Sequence, residues 1–192
     1  MTTQIQTTDL IPSGTFYYLP PSDGTVCINT PTEIDPASQI ETPALIINVP
    51  AAFSPTCSER HIPSFLTSTA IAFLKERGIK EILVLSTDSP FTTRAWGEHL
   101  AANADDSVKE SLVNGYIKFV SESGADWSKK IGLAKAANDK FTKDGFRGIR
   151  SAIVVGTSNK VEYIGVDAAR GVVEFSGIDG VLNGWKGSLS KF

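Results

Sequence analysis

The chain has 192 residues, 41% hydrophobic and 20% charged, with a formal net charge of −3 and a pI near 5.4. That is enough chain for one domain with a sizeable core, and the balance is that of an ordinary globular protein rather than a disordered or fibrous one. Lysine and arginine are scattered without a basic run, which argues against nucleic acid or a membrane surface as partner, and no apolar run approaches the ~20 residues of a membrane span.

The opening MTTQIQTTDLIPSG has neither a basic n-region nor an apolar h-region, and no Asn-x-Ser/Thr sequon without proline occurs. We therefore expect a cytoplasmic, reducing setting in which the two cysteines, Cys27 and Cys57, are thiols rather than a static staple. The last three residues, Ser190-Lys191-Phe192, differ at one position from the Ser-Lys-Leu peroxisomal address, so a peroxisomal location stays open beside it.

Residues 1–42 are irregular and rich in Thr, Pro and Ser, with one β-prone run at Thr15–Leu19. ALIINV (44–49) is a continuous apolar run flanked by proline, the pattern of a buried strand. A helix follows in which Ile62, Phe65, Leu66, Ile71, Phe73 and Leu74 share an apolar face, kinked by Pro63 and ended by Gly78. EILVLSTD (81–88) is the next strand, and SPFTTRAWGEHLAAN (89–103) is a helix with Ser89 at the N-cap and Pro90 at its first position. A polar stretch leads to the strand YIKFVSE (116–122), and ADWSKKIGLAKA (125–136) reads as a short helix. IRSAIVVG (149–156) and KVEYIGVD (160–167) flank TSN as a hairpin, and IDGVLNGWKGSLSK (178–191) is a weak closing helix. This order predicts a single α/β domain over 1–192 of thioredoxin-like fold, with residues 1–42 as an extension. Its mixed central sheet is flanked by helices and largely parallel, with the late hairpin as antiparallel edge strands.

Cys57 sits in NVPAAFSPTCSERHIPSFL, between polar neighbours rather than inside an apolar element. With Ser54 at an N-cap, Pro55 falls at N1, Thr56 at N2 and Cys57 at N3. The Ser54 hydroxyl is then placed to accept from the amide of Thr56 or Cys57. Unpaired amides and the helix dipole make a first turn the place where a thiol becomes a thiolate. Ionisation alone is not enough. Lowering a thiol pKa from ~8.5 to ~6 raises the thiolate fraction about thirtyfold, while the lost basicity gives back roughly tenfold. An efficient site therefore needs positioned donors as well, such as helix amides, Ser54 and a fixed cation.

The run from Pro50 to Cys57, PAAFSPTC, resembles the peroxiredoxin active-site motif Pro-x-x-x-Thr/Ser-x-x-Cys, and VPAAFSPTCSERHIPSF resembles its type II, or Prx5-like, subfamily. The similarity continues through VLSTDSPFTTRAWGEHL and RSAIVVG, roughly residues 43–170. In that family an arginine leads the strand after the third helix, the place of Arg150 in GIRSAIVV, with Arg147 the neighbour most easily mistaken for it. The resemblance implies a thiol-dependent peroxidase acting on hydrogen peroxide and alkyl hydroperoxides. Cys57 would be the peroxidatic residue that becomes a sulfenic acid. Ser54, the Cys57 amide and Arg150 would orient the peroxide, and Pro50 would shield the site from water. It further implies no cofactor, a homodimer, and thioredoxin or glutaredoxin/glutathione as reductant. It also sets the SPFTTRAW segment beside the site and a dimer contact, against a plain core reading of Phe53, Phe91 and Trp96.

Cys27, thirty residues upstream in PSDGTVCINTP, is the remaining thiol. We expect it to resolve Cys57, across a subunit boundary rather than within one; an uninvolved Cys27 with an external thiol resolving stays open. His61, four residues after Cys57, shares its helix face and either helps deprotonate the thiol or hydrogen-bonds behind it. His99 is expected in solvent. Two Cys and two His at these spacings make no metal site, and no phosphate loop, dinucleotide fingerprint or serine elbow is present. The segment 97–115 looks longer than the family has there, and SESGADW departs from its Asp-Pro-x-Gly wording. Two other readings compete: a redox sensor or relay that passes oxidation on through a mixed disulfide, and another thioredoxin-fold thiol transferase, which would not need Arg150.

Overall fold

The computed structural model describes residues 3–21, 30–137 and 145–187; Cys27 and Ser190-Lys191-Phe192 lie outside the described residues. In chain order the elements are β1 (Phe16–Tyr18), β2 (Thr32–Ile34), β3 (Ala44–Asn48), a π-helical turn (Cys57–His61), α1 (Ser68–Glu76), β4 (Glu81–Ser86) and α2 (Pro90–Ala101). Then come α3 (Asp106–Val113), β5 (Ile117–Ser121), α4 (Asp126–Lys130), β6 (Ala134–Ala136), β7 (Phe146–Gly148), β8 (Ser151–Val155), β9 (Val161–Val166) and α5 (Ile178–Gly184).

Seven strands form one mixed sheet in the order β2-β1-β5-β4-β3-β8-β9, and β6 and β7 pair separately. The expected apolar runs are strands, and every residue of β3, β4 and β8 is buried. The sheet is not largely parallel, however. Only β3–β4 and β4–β5 pair parallel, while β1–β2, β1–β5, β3–β8 and β8–β9 are antiparallel. β8, expected at an edge, lies inside the sheet between β3 and β9. A buried run of Val, Ile and Leu carries no mark of its direction, so the pattern could not reveal this.

Alternation along the strands feeds two cores, one on each sheet face. Leu45, Ile47, Val84 and Val154 point to the face covered by Ile71 and Leu74 of α1, Trp96 of α2, Val108 and Leu112 of α3, and Val181 of α5. Ala44, Ile46, Leu83 and Ile153 point to the other, covered by Trp127 of α4 and by Ile5, Ile11 and Phe16 near the N-terminus. Among the described residues no helix is long and apolar enough to cross a membrane.

Two predicted helices need correcting, and one helix lies where none was predicted. The kink expected at Pro63 is a complete break: turns fill Ile62–Leu66, and α1 restarts at Thr67, whose side chain accepts from the Ala70 amide at 3.1 Å. The rotation this allows leaves Phe73 outside the apolar face, 46% exposed. The helix expected over 125–136 stops at Lys130, and Ala134–Ala136 turn back as β6. The polar stretch before β5 contains α3, which holds the extra length of 97–115 against α1 through a hydrogen bond from the Ser107 hydroxyl to that of Ser68, 2.9 Å.

α2 lies close on β5 because Gly97 has no side chain: a Cβ there would stand 2.5 Å from the Phe119 ring, itself packed edge-on to Trp96 at 5.4 Å between centroids. Gly97→Ala is therefore expected to lower unfolding free energy by about 1–2 kcal/mol, the overpacking cost exceeding the ~1 kcal/mol gain in helix propensity. Urea denaturation measures this, and an unchanged or raised midpoint would refute the close packing.

Candidate active site

The register of β3 on β8 pairs Asn48 with Ser151, and that of β8 on β9 pairs Ser151 with Val166. One step further along, the chain leaves β3 toward Pro50, enters β8 from Arg150, and leaves β9 at Asp167, whose amide donates to the Arg150 carbonyl at 2.9 Å. Three segments distant in sequence thus meet at one end of the sheet.

The loop after β3 is fixed by Asp88, just beyond β4. Its carboxylate accepts from the Ala52 amide at 2.7 Å, the Ser86 hydroxyl at 2.6 Å and Arg147 Nη1 at 3.0 Å. Phe53, at φ +55°, turns the chain into the helical entrance. The Ser58 amide then bonds the Ser54 carbonyl at 2.9 Å, and the Ile62 amide bonds the Cys57 carbonyl at 3.1 Å, a five-residue step that makes the turn π-helical. Ser54 stands at the entrance as expected, but among the described residues its hydroxyl does not bond the Thr56 or Cys57 amide. The α-helical N-cap geometry does not form, and Ser54 instead lines the pocket described below. Trp96 donates Nε1–H to the Ser58 hydroxyl at 3.0 Å, so it is core and also braces the turn that carries Cys57.

Arg150, 6% exposed, extends Nη1 to 3.4 Å from Cys57 Sγ and to 3.0 Å from His61 Nδ1. His61 Nε2 lies 2.9 Å from the Ser176 carbonyl, which only accepts. Nε2 therefore carries the ring proton, and Nδ1 has the lone pair that receives Arg150. Burial, reinforced by the charge of Arg150 and opposed by the Ser176 bond and Asp167, lowers the His61 pKa from its ordinary 6.5 to about 4. Burial pushes the Asp167 carboxyl up, but it is outweighed by the Ser176 hydroxyl and by the amides of Ser176, Glu174 and Phe175, which hold it below the usual carboxylate range. That clasp sets the loop whose Ser176 carbonyl locks the imidazole. Asp167 and Ser176 were missed in the sequence. Counting the hairpin back from TSN sets Val166 opposite Arg150; the register shift between Val154 and Val155 brings Asp167 there instead, so the pattern did not mark it, and nothing local marks Ser176.

In front of these groups is a pocket of about 770 Å³ lined by Pro50, Ser54, Thr56, Arg150 and residues of the 135–137 and 167–171 segments. Cys57 has no exposed surface and belongs to the core cluster; its neighbours Ser54, Pro55, Thr56 and Arg150 line the pocket, and Cys57 itself does not. Thus Pro50, Ser54, Cys57 and Arg150 come together, while the expected resolving residue, Cys27, lies outside the described residues. Arg147 also lines the pocket but bonds Asp88. His99 is exposed, 5.7 Å from the Phe53 ring, and Phe53 and Phe91 are 51% and 54% exposed, so neither phenylalanine is core.

Known proteins resemble this chain in sequence and in fold. The Redoxin family model matches residues 7–182. Peroxiredoxin AHP1 of Chaetomium thermophilum is 33% identical over 183 residues, covering 93% of each chain. A Lipomyces kononenkoae protein whose name includes the words peroxisomal peroxiredoxin is 33% identical over 84% of this chain and 86% of its own. The crystal structure of reduced Prx3 from Vibrio vulnificus in complex with hydrogen peroxide superposes with a TM-score of 0.70 at 23% identity, over 94% of this chain and 95% of that one, and shares the fold.

Because the folded-state value of His61, about 4, lies below the ordinary 6.5, the unfolded chain binds more protons between those values. Stability from this group is complete above about pH 6.5 and drains as pH falls toward 4, by about 3 kcal/mol. Urea titrations of wild type and His61→Gln at pH 7 and pH 4 should differ in their pH loss by that order; parallel losses would refute the neutral, buried imidazole.

Proposed function

The chain belongs to the Redoxin family and is a peroxiredoxin, a thiol-dependent peroxidase, and on that premise we propose that Cys57 is its nucleophile. The observation that carries the assignment of residues is the 3.4 Å approach of Arg150 Nη1 to Cys57 Sγ, held by His61.

The Cys57 thiolate attacks the terminal oxygen of a hydroperoxide. An S–O bond forms as the O–O bond breaks, sulfur is oxidised to the sulfenic acid, and the departing alkoxide or hydroxide takes up a proton. Negative charge moves from sulfur to the leaving oxygen during this step. Arg150 faces both ends of that path: it holds the thiolate beforehand and donates to the peroxide oxygens as charge builds on them. A neutral His61 cannot give up a charge or compete for the peroxide, and it keeps the guanidinium plane in place. Pro50 walls off water and Ser54 offers its hydroxyl to the peroxide. The sulfenic acid is then resolved by Cys27 or by an external thiol, and the resulting disulfide is reduced by thioredoxin or by glutaredoxin with glutathione. Two copies pair through the face that carries the exposed Phe53 and Phe91. A peroxisomal location is consistent with the name of the Lipomyces relative.

Replacing Arg150 with Ala should slow oxidation of Cys57 by hydrogen peroxide by about a hundredfold or more, the usual loss for one positioned donor, and change iodoacetamide alkylation far less. Stopped-flow kinetics with each reagent separates these, and an equal loss toward both would overturn the peroxide-orienting role. A Cys27→Ser variant should react with the first equivalent of peroxide at the wild-type rate and then fail to form the disulfide-linked species that wild type shows on non-reducing electrophoresis. The same band in the variant would exclude Cys27 as the resolving thiol.

A further inference from the structure

The pocket is far larger than hydrogen peroxide needs. At about 770 Å³ it falls in the ~300–1,000 Å³ range of sites for whole small molecules, whereas a peroxide needs little more than the ~30 Å³ of a water. Its lining is mostly apolar, with Pro50, Ala51, Pro55 and Ala168 among the residues.

Its charge is inverted relative to the chain. The protein carries a formal −3, yet Lys135, Arg147, Arg150 and Arg170 all line this one pocket. Asp167 is the acid among the described lining residues, and both its oxygens are taken by the clasp on residues 174–176. Lys135 and Arg147 are direct cross-strand partners in the β6–β7 pair, an arrangement in which like charges repel. Asp88 relieves Arg147, whereas Lys135 and, on the opposite loop, Arg170 are exposed and form no ion pair among the described residues. A small neutral oxidant gives no use for such a rim.

We propose that the pocket selects hydroperoxides that bear a carboxylate on an apolar tail, the class of fatty-acid hydroperoxides. This rests on the peroxidase reading above and names the substrate class of the same site. The tail lies along the proline and alanine wall, the carboxylate meets Lys135 and Arg170 at the rim, and the hydroperoxide group reaches Arg150 and Cys57. The chemistry is unchanged: the terminal oxygen passes to sulfur, the O–O bond breaks, and the hydroxy acid leaves after taking a proton.

The test isolates the oxidation step. Reduced protein is mixed without any reductant with linoleic acid 13-hydroperoxide, its methyl ester or hydrogen peroxide, and loss of the Cys57 thiol is timed by quenched flow. The acid should react about tenfold faster than the ester at low salt, the lower end of what charge steering gives, and the advantage should shrink as salt is raised. In a Lys135→Gln/Arg170→Gln double variant, shown by circular dichroism to be folded, the acid-to-ester ratio should fall to about one. Equal rates for acid and ester in wild type, a ratio indifferent to salt, or a ratio that survives the double substitution would overturn the proposal while leaving the peroxidase reading intact. Failure of all three oxidants to react would remove that reading itself.

Discussion

A single guanidinium nitrogen holds the centre of this site. Nη1 of Arg150 has two hydrogens, and they are directed to His61 Nδ1 at 3.0 Å and Cys57 Sγ at 3.4 Å. Removing a guanidinium from water costs several kcal/mol unless an anion accompanies it. Arg150 is 6% exposed, and among the described residues it forms no salt bridge with a carboxylate. The neutral imidazole offers a lone pair but no charge. The thiolate that the proposed function assigns to Cys57 supplies the negative partner the cation lacks. A lysine would not serve as well, because its point charge cannot hold a fixed plane between two acceptors.

That arrangement is long-range throughout. Arg150 stands 93 positions from Cys57 and 89 from His61, and His61 stands 115 from Ser176. What joins them is the neighbouring order β3-β8-β9, whose ends fall level so that Pro50, Arg150 and Asp167 emerge side by side. Each strand contributes one part: β3 leads into the loop that carries the nucleophile, β8 begins just after the cation, and β9 ends at the acid that shapes the loop holding His61. Asp88, at the end of β4, ties the first of these down from the opposite side.

This explains which features could be read from the sequence. The PAAFSPTC run is local, so its cysteine was legible without a fold, and Arg150 was singled out through the peroxiredoxin resemblance, which sets an arginine at the head of an apolar strand. The π-helical step at Cys57 was not, because α and π turns place apolar residues at nearly the same spacing and differ by one backbone bond. Nor was α3, since Val108 and Leu112 are the apolar residues it buries, too few to set a period. The His61–Ser176 bond was invisible for a different reason: the acceptor is a main-chain carbonyl, and no side chain announces it.

Burial of Cys57 gives the site its strength and sets its chief demand. Cys57 has no exposed surface and belongs to the apolar cluster that includes Leu45, Ile47, Phe65 and Trp96, so the field of Arg150 on it is larger than at a surface. The same exclusion of water means that the leaving oxygen must find its donors in the protein. The Cys57 turn is braced by Trp96 through Ser58 and its approach loop by Asp88 through Ala52, so neither side of the reaction path can drift. Arg150, 3.4 Å from the sulfur, is among the groups that line the pocket, and Cys57 is not. On the function proposed above, a hydroperoxide coming through the pocket meets Arg150 before Cys57, and orientation precedes attack.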